Sequence, residues 1–148
     1  MTTSIGYNQT PGSIAKGQRA PVSAQTTNAC VMVVEDHADT RFLLRTMLEM
    51  RGGISVVEAE NGEMAIALAR DVHIDLILMD TDLPLLDGYA ATRRIRELTS
   101  THKVPIVMLS GHAQPAAQAE AFAAGCTDYL VKPFCLGELG SLLERHLS

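Results

Sequence analysis

Five short apolar runs, each separated from the next by an amphipathic stretch, limit what this chain can fold into more than any other feature. They are CVMVV (30–34), SVVEA (55–59), DLILM (75–79), PIVML (105–109) and DYLV (128–131). Four of the five lack the alternation of a half-solvated strand and read as strands covered on both faces. Stretches 38–51, 62–71, 87–99, 115–124 and 135–147 supply the covering helices; in the first, Phe42, Leu43, Thr46, Met47 and Met50 recur at helical spacing. Asn61 stands at an N-cap position, Pro115 suits a first helical turn, and Gly125 follows a helix end. Strict alternation with right-handed crossovers predicts an α/β fold: a three-layer, doubly wound, parallel sheet. Its ligand crevice lies beyond the carboxyl ends of the strands.

The 148 residues, 47% of them hydrophobic, suffice for one sizeable core. That core is expected over residues 30–148. Residues 1–29 carry Pro11, Pro21, three glycines, Lys16 and Arg19 but no acid, a composition that reads as a disordered polar tail. The net charge of −5 argues against a broad contact with a phosphate backbone, so no direct DNA binding is expected. Cys30, Cys126 and Cys135 form no CxxC pair or even framework and fit free thiols in a reducing compartment. No apolar stretch reaches the ~20 residues of a membrane span. A cytoplasmic protein without membrane contact is the expectation.

The strand ends carry the chemistry. The first run leads into Glu35 and Asp36, the third into Asp80, the fourth into Ser110 and the fifth into Lys132 and Pro133. Three carboxylates at one edge repel one another unless a cation sits among them, and oxygen ligands with retained waters suit Mg²⁺, with Mn²⁺ as the alternative ion. A carboxylate oxygen can attack a phosphoryl group, while a lysine, a metal and a hydroxyl offset the charge on the transferring oxygens. Each residue also has a plainer reading. Asp36 would serve as a helix cap, Asp80 and Ser110 as turn residues, and Tyr129 as core. Asp87, before Gly88, is read as a turn residue entering the third helix.

The motifs VVEDH (33–37), LMDTDLPLLDG (78–88), MLSGHA (108–113) and DYLVKPF (128–134), in this order, resemble a response-regulator receiver domain of the CheY-like, stand-alone type. The resemblance runs from about Cys30 to the C-terminus. It implies a flavodoxin-like (βα)5 fold with strand order 2-1-3-4-5. It also implies that Asp80 accepts a phosphoryl group from a histidine, that Asp36 ligates Mg²⁺ with Glu35 assisting through water, and that the backbone carbonyl of Asp82 completes the protein's share of the shell. Lys132 would pair with the phosphoryl oxygens, its bond to Pro133 being cis, and Ser110 and Tyr129 would form the switch pair. Such a domain is a signalling switch whose only activity is its own phosphorylation and dephosphorylation.

Asp82 and His112 occupy positions expected to modulate rates, and Gly111 stands where alanine is more usual. The other histidines, His37, His73, His102 and His146, show no zinc-ligand spacing. Arg93, Arg94 and Arg96 read as a solvated helical face, and Gly137 and Gly140 as a soft last helix. A haloacid-dehalogenase-type phosphatase using Asp80 and Asp82 is the main rival, but its further acidic pair after the lysine is missing. A non-phosphorylated receiver-like binding module is the other.

In family terms the signal leaves through the fourth helix, fifth strand and fifth helix toward a protein target, without a following DNA-binding domain. The expected donors are a sensor or hybrid histidine kinase, or a histidine phosphotransfer protein. Residues 113–131 hold no Lys or Arg, so a monomer or weak dimer is expected.

Overall fold

The computed structural model describes residues 28–147. Most of the expected polar tail therefore lies outside the described residues. The elements are β1 (Ala29–Val34), α1 (Ala38–Met50), β2 (Ile54–Ala59), α2 (Gly62–Asp71), β3 (Leu76–Asp80), α3 (Gly88–Arg96), β4 (Ile106–Ser110), α4 (Pro115–Ala124), β5 (Asp128–Val131) and α5 (Leu136–Leu147). All strands pair in parallel, in the order β2-β1-β3-β4-β5. This is the flavodoxin-like arrangement that the alternation and the resemblance predict, and strand β1 opens one residue earlier than expected.

The period-two geometry of a strand sorts the core into two layers. Val31, Val33, Leu76, Leu78, Val107 and Leu109 face α1 and α5, which contribute Leu44, Leu48, Leu139, Leu142 and Leu143. Met32, Val34, Ile77, Met79, Ile106 and Met108 face α2, α3 and α4. Those helices meet the sheet largely through Ala65, Ala69, Ala91 and Ala121, small residues that let them lie close. Shortening a fully buried residue such as Leu78 to alanine would cost ~2–5 kcal/mol.

Only β3, β4 and the last four residues of β1 are buried on both faces, three strands rather than four. Strands β2 and β5 are mostly half-buried because they form the sheet edges, where each lacks one neighbour. Two boundaries bear on the site. Strands β3 and β4 each run one residue past the apolar run, so Asp80 pairs in register with Leu109 and Ser110 with Val131. Both polar side chains are thus fixed by a sheet ladder rather than carried on a loop.

The expected caps are in place. Asn61 accepts from the Met64 N–H, and Gly125 ends α4 in the left-handed region; Asp87, read in the sequence as a turn residue, caps α3 by accepting from the Ala90 N–H. Helix α5 runs unbroken through Gly137 and Gly140, and a Cβ on Gly140 would come within 3.1 Å of the Arg51 guanidinium. Arg96 departs from the solvated face expected of it. It donates to the carbonyl oxygens of Gly125, Thr101 and Val104 and to the Thr127 hydroxyl, tying α3 to the segments that flank β4 and β5. Among the described residues, no helix is long and apolar enough to cross a membrane.

Candidate functional site

At the carboxyl edge of the sheet, Glu35 continues the β1 ladder through its N–H bond to Ala59 and is 1% exposed. Its two oxygens point to different partners. Oε1 lies 3.4 Å from Lys132 Nζ, and Oε2 accepts from the His37 N–H at 3.2 Å and sits 3.1 Å from His37 Nδ1. Asp80, at the tip of β3, is 2% exposed; its Oδ1 lies 3.1 Å from Lys132 Nζ and accepts from the Asp82 N–H at 3.2 Å. One ammonium therefore serves two buried carboxylates.

Burial raises the Asp80 carboxyl above its usual range, the Glu35 charge raises it further, and the Lys132 ammonium only partly offsets them. For Glu35 burial also pushes upward, but the His37 N–H, Lys132 and the His37 ring outweigh it and hold the group low. Burial opposes the charge of Lys132, yet its bond to Asp80 and the two carboxylate charges lift it above the usual lysine range. The site is short of positive charge, and Asp80 bears the deficit.

Asp36 Oδ1 is sealed from solvent and has no hydrogen-bond partner; His37 Nδ1 approaches to 3.3 Å, in ion-pair range but outside hydrogen-bond alignment. Asp36 does not cap α1, whose N-cap is His37. A buried carboxylate oxygen left without a hydrogen bond is costly, and a cation removes that cost. The residues present therefore fit a divalent ion. Glu35, Asp36 and His37 each offer a ligand atom, all within 4.8 Å of one another. His37 has no zinc-like spacing to mark it in the sequence; its place directly after an acidic pair is the signal that points to the site.

The loop after β3 is shaped by a close approach. A Cβ on Gly88 would fall 2.2 Å from the Asp80 carbonyl oxygen, and the Gly88 N–H donates to Thr81 O at 3.1 Å. Only glycine lets α3 begin against the Asp80 peptide. Asp82 enters the site through its N–H, and its side chain is exposed.

On the other side, Ser110 is fully buried and its Oγ accepts from the His112 N–H at 3.1 Å. The Tyr129 hydroxyl donates to the His112 carbonyl at 2.8 Å, with the ring half-buried. The His112 side chain is exposed, so its backbone is what joins the expected switch pair. The Lys132–Pro133 bond is cis, as the resemblance implies.

Residues 31–144 match the response regulator receiver domain family. The chain is 44% identical over 110 residues to the transcriptional regulatory protein ResD of Bacillus subtilis, covering 74% of this chain and 44% of that regulator. It is 42% identical over 118 residues to the two-component response regulator ORR41 of Oryza sativa subsp. japonica, covering 78% of this chain and 91% of the relative. Among solved structures it is similar to the receiver domain of the sensor histidine kinase PA1611 of Pseudomonas aeruginosa PAO1, described with a magnesium ion coordinated in the active site cleft. That likeness has a TM-score of 0.76 at 36% identity, over 81% of this chain and 98% of the other. The chemotaxis protein CheY4 of Vibrio cholerae gives a TM-score of 0.77 at 30% identity, over 80% of this chain and 98% of the other.

Proposed function

This chain belongs to the response regulator receiver family, and from that premise we propose that it is a phosphorylation switch in which Asp80 takes a phosphoryl group from a phosphohistidine. The observation that carries the reading is the buried Asp80 at the tip of β3, bonded to Lys132 beside Glu35 and an Asp36 oxygen that has no hydrogen bond.

Two donors hold Asp80 Oδ1, which leaves Oδ2 as the attacking atom. An O–P bond forms as the P–N bond to the donor histidine breaks, and the departing imidazole keeps the electron pair and takes up a proton. Lys132 is placed to follow the charge onto the phosphoryl oxygens. Mg²⁺, held by Asp36 and Asp80 with the Asp82 carbonyl and Glu35 through water, would offset further negative charge when bound. Ser110 would then turn its hydroxyl to a phosphoryl oxygen and release the His112 N–H. With that tether gone, Tyr129 is free to leave the His112 carbonyl and move inward, and a partner that prefers one arrangement reads the change.

The donor class is a sensor or hybrid histidine kinase, or a histidine phosphotransfer protein, and the output is a protein partner at α4, β5 and α5. On that face Arg145 is paired to Asp128 of the same chain, which supports a monomer or weak dimer. The family excludes the haloacid-dehalogenase reading, and the exposed Asp82 side chain gives it no support.

Intact-mass analysis after incubation with acetyl phosphate, with and without Mg²⁺, tests the proposal. One phosphoryl adduct that requires the metal and is absent from Asp80→Asn is the expected result. An unmodified mass with the metal present would overturn it.

A further inference from the structure

We propose that His37 supplies a nitrogen ligand to the cation at this site and so shifts its preference from Mg²⁺ toward ions with more affinity for imidazole, such as Mn²⁺. The inference rests on the cation reading above and differs from it in taking Glu35 as a direct ligand in place of one acting through water.

The geometry is that of one edge of a coordination sphere. Neighbouring ligands of an octahedral ion with bonds of about 2.1 Å lie about 3.0 Å apart. His37 Nδ1 is 3.1 Å from Glu35 Oε2 and 3.3 Å from Asp36 Oδ1. Lys132 engages Glu35 Oε1, and Oε2, which accepts from the His37 N–H, is the oxygen that faces the ring. Asp36 Oδ1 has no hydrogen bond at all. His37 sits at the N-cap of α1, yet its side chain makes no capping bond, so the ring is committed to nothing but the two carboxylates. Its side chain is 75% exposed, which leaves the ion a route in and room for retained waters.

An all-oxygen site of carboxylates, a carbonyl and water suits Mg²⁺, whereas imidazole raises affinity along the first-row series from Mn²⁺ onward. Replacing one water by His37 would therefore gain little for Mg²⁺ and more for Mn²⁺. In the cation-free protein a proton on Nδ1 accounts for the same contacts, and the test separates the two roles.

Calorimetric titration of the full chain with Mg²⁺ and with Mn²⁺ gives the affinity ratio, and pulsed electron paramagnetic resonance of the Mn²⁺ form reads directly bound ¹⁴N. The wild type is expected to show nitrogen coupling. His37→Gln should abolish it and lower the Mn²⁺-over-Mg²⁺ ratio about tenfold, with the circular dichroism spectrum unchanged. Mn²⁺ bound without nitrogen coupling, at a ratio that His37→Gln leaves unaltered, would overturn the proposal and leave the cation site standing. Failure of both ions to bind, or binding indifferent to Asp36→Asn, would overturn the cation reading and this proposal with it.

Discussion

The Tyr129 hydroxyl donates to the His112 carbonyl at 2.8 Å, and the N–H of that same residue is held by Ser110 Oγ at 3.1 Å. The loop between β4 and α4 is thus fastened twice at one residue, once from the buried crevice and once from the half-buried Tyr129 on β5. A neutral hydrogen bond contributes ~1 kcal/mol net. Tyr129→Phe should cost about that much in chemical denaturation and raise amide exchange over residues 111–114. Phosphoryl uptake from acetyl phosphate should persist, because Tyr129 has no bond to Asp80 or Lys132. Loss of uptake would show that the ring acts in the chemistry and not only in its readout.

Asp80 is a liability to the fold when no cation is present. Burial and the Glu35 charge raise its carboxyl above the usual carboxylate range, so between the unfolded and folded values the native state holds more protons than the unfolded chain. Stability then falls as pH rises through that window, and the penalty is complete above it. Asp80→Asn should stabilise the metal-free protein at pH 7, because it removes the buried charge that Glu35 repels. The gain should disappear near pH 3 and shrink when Mg²⁺ is added, since the ion stabilises only the wild-type carboxylate. Thermal unfolding of both proteins with chelator and with Mg²⁺ measures this; a destabilised Asp80→Asn at pH 7 would reverse the assignment.

Gly88 and Gly111 make a matched pair. A Cβ at Gly88 meets the Asp80 carbonyl at 2.2 Å, whereas one at Gly111 has nothing within 4 Å. Gly88→Ala should cost ~2 kcal/mol or more and slow phosphorylation by displacing the Asp80 peptide. Gly111→Ala should change stability by less than ~0.5 kcal/mol. Denaturation midpoints and adduct formation rates of the two variants give the comparison.

The parts legible in the sequence were those written in local pattern. Apolar runs marked the strands, Asn61, Pro115 and Gly125 marked helix ends, and the polar residues at the strand tips marked the crevice. What escaped depends on neighbours distant in the chain. The half-burial of β2 and β5 follows from their place at the sheet edges, which their own composition does not state. His37 joined the site because the chain turns from β1 into α1 so tightly that consecutive side chains converge on one point, and no helical or zinc-like spacing announces that. A helix cap is the plainer alternative for Asp36 in the sequence, and the backbone angles give that position to His37.

Arg96 was hidden for the same reason, and it yields the last prediction. Helical periodicity placed it on the solvent side of α3, but its guanidinium reaches three backbone carbonyls and one hydroxyl on segments up to 31 residues away. Partial burial lowers its affinity for the proton, which fits a cation enclosed among neutral acceptors. Removing it would leave the Gly125 and Val104 carbonyls without the guanidinium donor, while Thr101 keeps the Val104 N–H, at ~1–3 kcal/mol for a buried unsatisfied group. Arg96→Ala should therefore destabilise by ~2–4 kcal/mol. Arg96→Lys should recover only a minor part, because a single ammonium cannot span the planar fork of acceptors. Urea denaturation of both variants decides it, and a loss below ~0.5 kcal/mol in Arg96→Ala would return this residue to the solvated face that its spacing suggested.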